Sequence, residues 1–201
     1  MNKSMKMWMT AAILMLGGFS MVGCNNKADK AAKEQTEATA EVQAEQVMTY
    51  YDVVNDYLVN EFGKQYAQGD VCIPYNFLVS SDEGNPDDIL VWSDFWVFNY
   101  NLAGDTLKTV SGGNHPGLMH LKKTADGYEV TAFDAVEDGA GNLESAKRIF
   151  GDKFDSYQEI SSLQEKREDM RLRFTADYVK EHGLSATMLQ DYGWPAVALP
   201  K

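Results

Sequence analysis

The chain has 201 residues, with 18 Lys and Arg against 30 Asp and Glu, and a formal net charge of −12. Its 44% hydrophobic and 24% charged residues match a globular protein rather than a disordered or fibrous one. With 5 Pro, 16 Gly and 2 Cys, a collagen-like repeat and a disulfide-stapled scaffold are both excluded. An acidic chain has no surplus of Lys or Arg to displace counterions from a phosphate backbone, so nucleic acid is not an expected partner.

The first elements read as an address. Lys3 and Lys6 precede an apolar run from Met7 to Phe19. That run has the length of a secretory hydrophobic region and is too short to span a bilayer. Met21-Val22-Gly23-Cys24 follows, and this order of charge, apolar run and Gly-Cys resembles the lipobox of bacterial lipoproteins. Met21 stands where Leu is usual. The resemblance implies a signal peptide over 1–23, cleavage before Cys24 and a diacylglycerol on its sulfur. An ordinary cleaved signal peptide, or a buried N-terminal helix with an incidental Cys, is the alternative. Two or three acyl chains at ~0.8 kcal/mol per buried methylene make a permanent anchor, so the expected location is the bacterial cell envelope, outside the cytoplasm.

Residues 24–46 hold no aromatic residue and one branched aliphatic, Val42, too little apolar surface to offset ordering the backbone. They read as a polar tether reaching ~25 Å as coil or ~33 Å as helix. Their Ala, Glu, Lys and Gln also suit the first helix of the domain. Residues 47–201 are one expected domain. Val47, Tyr51, Val54, Leu58 and Phe62 recur at helical spacing, flanked by Tyr50 and Tyr57, with Gly63 at the stop.

Strands come next. Val71–Val79 alternates, and Pro74 confines it to an edge or a bulge. The acidic stretch Ser80–Asp88 reads as a loop. Ile89–Leu102 is apolar on both parities, the pattern of a strand covered on both faces. Thr106–Ser111 follows a turn at Ala103-Gly104-Asp105, and Gly117–Lys123 pairs with Tyr128–Val136 across a Gly-containing hairpin loop. Asn142 reads as the cap of a short helix through Phe150, with Gly151 just beyond its end. Ser162-Leu-Gln-Glu165 has capping-box form and opens a long helix with Leu163, Met170, Phe174 and Tyr178 on one stripe, ended by Gly183; Ser185 caps a last short turn.

The expected class is therefore α+β: an N-terminal helix packed on a curved antiparallel sheet of four to five strands, followed by C-terminal helices. This order over residues 47–160 resembles the cystatin-like and nuclear-transport-factor-like rolls. The stretch from Glu137-Asp-Gly139 to Ser145-Ala-Lys-Arg-Ile-Phe150 is similar to bacterial envelope proteins of this shape, a resemblance that implies no activity.

Candidate chemistry is sparse. His115 and His120 are five apart around Pro116-Gly117, which suits neither a helical pair nor one strand face, so no metal is expected. Asp134 to Ser145 lacks the bidentate Glu of a calcium loop, and the acids of Ser80–Asp88 read as a hydrated tip. Cys72 is the only thiol left once Cys24 is lipidated, with no base beside it. No nucleophile elbow, phosphate loop, dinucleotide fingerprint or zinc-protease helix occurs, so neither cofactor nor catalytic residue is assigned. The residues singled out as a ligand site are Trp92, Asp94, Trp96, Phe98 and Tyr100, which share one strand face and enclose a carboxylate in an aromatic wall. Such a wall can line a pocket for a small apolar or aromatic ligand. It can equally be core beneath the C-terminal helix, or the contact of a homodimer. Three functions stay open: a non-enzymatic, lipid-anchored module binding a small ligand or an envelope partner; a hydrolase or isomerase with Asp94 as base; and a structural or inhibitory module docking at the edge near Pro74.

Overall fold

A computed structural model describes residues 49–201. The signal segment, Cys24, the tether and Val47 lie outside the described residues. Those described belong to a single compact unit.

Helix α1, Tyr50–Tyr57, starts where the Asp52 carboxylate accepts from the Thr49 N–H at 2.7 Å and the Thr49 hydroxyl at 2.9 Å. This satisfies groups that the first turn leaves open. The chain continues through a π-helical turn, Leu58–Phe62, and a 3₁₀ turn, Gly63–Gln65. Gly63 is needed for closeness: a Cβ there would stand 2.6 Å from Cys72 Sγ.

Strands β1 (Val71–Asp82), β2 (Ile89–Ala103), β3 (Thr106–Thr124) and β4 (Gly127–Ala135) pair antiparallel in succession. Two short strands, β5 (Met188–Gln190) and β6 (Val197–Ala198), extend the sheet beside the first residues of β3, and β3 with β5 is parallel. The sheet is thus mixed and six-stranded, where four to five antiparallel strands were expected. The added strands replace the turn expected at Ser185, because Thr187 and Met188 donate their N–H groups to Asp105 O. The segments expected as separate strands at Thr106–Ser111 and Gly117–Lys123 are one. Gly112 has φ +150°, and a Cβ there would lie 2.3 Å from Val97 O. The glycines that read as a break allow the strand to press against β2 instead.

Helices follow: α2 Asn142–Phe150, α3 Phe154–Ser162 and α4 Gln164–Glu181. Helix α2 ends at Phe150 as expected, but Asn142 is its first residue rather than its cap: Gly141 takes the cap position and Asn142 Nδ2 donates to Glu137 O at 3.1 Å. Helix α3 was not expected, and the capping box does not form: Ser162 Oγ donates to Glu159 O at 3.0 Å, ending α3 rather than opening α4.

Strand β2 is covered on both faces, as its sequence predicts. Ile89, Val91 and Phe95 pack with Tyr50, Val54 and Leu58 of α1 and with Met119 and Leu121 of β3. On the other face, Trp92 packs with Ala146, Phe150 and Tyr157, and Tyr100 with Ile73, Tyr75, Phe77, Val179 and Leu189. Helix α4 buries the expected stripe only in part. Met170 and Tyr178 pack half-buried against the core, Leu163 and Phe174 are exposed, and Arg171, Thr175 and Val179 face inward. An Arg and a Thr were not candidates for that face because burying them costs free energy unless partners are present, and those partners come from distant strands.

Candidate functional site

The five singled-out residues do share one face of β2. Trp92 (9% exposed), Asp94 (1%) and Tyr100 (0%) are buried; Trp96 and Phe98 are half-buried. Helices α2 to α4 of the same chain pack on them. Trp92 Nε1 donates to Ile149 O at 3.0 Å, which pins β2 to the end of α2.

Asp94 meets Arg167 of α4, whose Nη1 donates to its Oδ2 at 3.3 Å. The guanidinium also lies over the Trp96 ring, with Cζ 5.0 Å from the ring centre. Burial pushes the Asp94 carboxyl above the usual carboxylate range, against the pull of Trp96, Arg167 and Asn114. The set is incompletely bonded. Asp94 Oδ1, Trp96 Nε1 and Arg167 Nε are buried without a partner of good geometry. A base held this way is out of reach of a substrate unless α4 moves.

Deeper along the same face a polar chain replaces apolar packing. Tyr75 Oη lies 2.7 Å from Tyr100 Oη and 2.9 Å from Thr175 Oγ1. Arg171 Nη1 donates to Tyr100 Oη and to Asp191 Oδ1, both at 3.2 Å. The second Arg171 amine pairs with Asp191 Oδ2, and Thr109 Oγ1 donates to Asp191 Oδ1 at 2.6 Å. Burial raises both phenols, pushing Tyr100 up to about 12, so both stay protonated. Burial also opposes the Asp191 charge, but Arg171 and Thr109 outweigh it and hold the carboxyl below its usual range. Arg171 itself is held protonated by Tyr100, Asp191 and Glu168 against the opposing effect of burial. This chain fastens β1, β2, β3, α4 and the segment after β5. Beyond it the turn projects Tyr192 and Trp194, 94% and 71% exposed.

The histidines are apart. His115 stacks on Phe62, with ring centres 4.2 Å apart, and its Nε2 is 3.1 Å from Tyr66 Oη; burial lowers its proton affinity. His120 sits between Asp88 at 2.8 Å and Asp134 at 3.6 Å. Among the described residues no group of three or more His, Cys, Asp or Glu gathers to hold a metal ion. Burial raises the Cys72 thiol, so nothing there activates it.

The open concavity lies elsewhere, along the free edge of β1. It is a cleft of about 690 Å³, within the usual size of small-molecule sites. Its floor is Cys72, Pro74, Tyr75 and Asn76 of β1. One wall comes from α1 and the turn after it: Tyr51, Asp52, Asn55, Asp56 and Val59. The other comes from α4: Phe174, Asp177, Tyr178, Glu181 and His182. The walls stand because α1 and α4 pack on opposite faces of the sheet and both reach its β1 edge. The ring of His182 stacks on Tyr178 at 3.8 Å, and its Nδ1 lies 2.9 Å from Tyr178 O. Asn76 Oδ1 accepts from Ser93 Oγ while its Nδ2 is buried without a partner.

None of the five singled-out residues lines this cleft, and sequence reasoning missed it. The available signal was the pair of like charges four apart on each helix, Asp52 with Asp56 and Asp177 with Glu181, which helices do not favour. Among the described residues no helix is long and apolar enough to cross a membrane. No protein-family model, no curated protein and no solved structure matches the chain.

Proposed function

We propose that this chain is a lipid-anchored binding module of the bacterial cell envelope, moored outside the cytoplasm through Cys24, which holds a small molecule in the cleft along β1. The observation that carries the reading is the cleft. It combines a roomy concavity, rings from both walls and several polar groups, and burial keeps its thiol, Cys72, protonated. Such a surface suits holding a ligand more than transforming one. The order of basic start, apolar run and Gly23-Cys24 supports the anchor. Helix α1 followed by the antiparallel strands β1 to β4 supports the roll resemblance, extended by the later helices and two short strands.

The reading has two tests in a bacterial host. Mass spectrometry of the membrane fraction should find a chain starting at an acylated Cys24, and Cys24→Ser should leave the product unacylated. An intact Met1 start on an unacylated cytosolic product refutes the anchor. The neutral fluorophore N-phenyl-1-naphthylamine should bind the purified full chain saturably, and Val59→Trp, which fills the cleft, should abolish the signal. Failure to saturate, or indifference to Val59→Trp, refutes the cleft as the ligand site.

A further inference from the structure

We infer that the β1 cleft selects organic cations, molecules joining an ammonium or guanidinium group to a flat apolar body; this rests on reading that cleft as the ligand site. The charge of the cavity is one-sided. Carboxylates enter from both walls, Asp52 and Asp56 on one and Asp177 and Glu181 on the other, and no Lys or Arg lines it. Asp52 is engaged by Thr49. Asp56, Asp177 and Glu181 make no ion pair among the described residues. Both acidic pairs are spaced four apart, where like charges repel and weaken the helix, and a bound cation between the walls relieves that repulsion.

The cavity supplies more than charge. Tyr51 and Phe174 present exposed rings from opposite walls. A cation is attracted to ring faces as well as to carboxylates, and a flat body lies well against them. An extended peptide adding to the sheet edge is a poorer occupant, because Pro74 sits mid-strand and has no N–H to offer it.

The test uses the full chain in a non-ionic detergent and three probes of near-equal shape. Phenylalaninamide is cationic, N-acetylphenylalaninamide neutral and N-acetylphenylalanine anionic. Titration calorimetry should rank them in that order, with the cation at least about tenfold tighter than the neutral probe and weaker in high salt. The exposed replacements Asp56→Asn, Asp177→Asn and Glu181→Gln should each weaken the cation about two- to fivefold, as for partly screened pairs. The triple variant should bind neutral and cationic probes alike, while Asp126→Asn in the distant β3–β4 turn changes nothing. Equal affinity for the neutral and cationic probes, or a triple variant that keeps the preference, overturns the inference. So does capture of trilysine but not phenylalaninamide, which would make the site a dock for basic protein segments. Binding of the neutral fluorophore without a preference for cations sinks this inference and spares the cleft; failure of the fluorophore to saturate sinks the cleft itself.

Discussion

Replacing Arg167 by Met asks what holds a carboxylate inside the sheet–helix interface. The Asp94 side chain is 1% exposed and that of Arg167 18%, with a single contact of 3.3 Å between them. Removing one partner of such a buried pair strands the other charge, at a cost of roughly 3–5 kcal/mol. For a domain of this size that lowers the melting temperature by about 2–4 °C per kcal/mol. Because burial raises the Asp94 carboxyl in the folded state, the folded chain holds more protons than the unfolded one between the ordinary Asp value near ~3.9 and the raised value. Stability from this group therefore falls as pH rises through that window, and its penalty is complete above it. Without Arg167 the folded value rises further, so the cost of Arg167→Met should be full at pH 7 and shrink toward about 1 kcal/mol near ~pH 3.5, where the carboxyl is neutral in both states. The double variant Asp94→Asn/Arg167→Met should recover most of the loss at pH 7. Urea unfolding followed by tryptophan fluorescence at both pH values measures this. A cost that is equal at the two pH values, or a double variant no better than Arg167→Met, refutes the view that Asp94 is a charge trapped under α4.

Three further outcomes follow from the same reasoning. Asp191→Ala leaves Arg171, 4% exposed, without its main counter-charge and should cost ~3–5 kcal/mol in urea unfolding, whereas Tyr192→Ser and Trp194→Ser next to it should stay within about 0.5 kcal/mol because both rings face solvent. Gly112→Ala, which puts a Cβ against Val97 O at a φ of +150°, should lower stability by more than ~2 kcal/mol, and thermal melting unchanged within 2–3 °C would contradict that close approach. His115 should titrate by NMR below its usual value near ~6.5, since burial opposes its charge; its contribution should be lost as pH falls from that usual value toward the depressed one, and His115→Phe should remove that slope.

Much of the frame was legible in the residues. Strand β2 reads as covered on both sides because neither parity carries enough polar residues to face water, and helices do lie on each face. Pro74 marks β1 as an edge strand, and Gly151 marks the end of α2. What escaped depends on partners far off in the chain. Arg171 and Thr175 look like solvent positions until Asp191, Tyr100 and Tyr75 meet them. Gly112 and Gly113 look like a break until Val97 and the Tyr66 hydroxyl close over them. The aromatic stripe was visible as a stripe, but period alone does not say whether water or a helix lies against it. The cleft was the hardest to see. Its walls are ordinary helix surface, and only the packing of α1 and α4 on opposite faces beside β1 brings them around one cleft.

The flanking helices and Pro74 bear on how the sheet margin behaves when many copies crowd side by side. A bare sheet margin is a seed on which further chains can stack into fibres. Here α1 and α4 stand beside the Cys72–Asn76 stretch of that margin, and Pro74 within it has no N–H to donate, so this stretch is a poor template for an added strand.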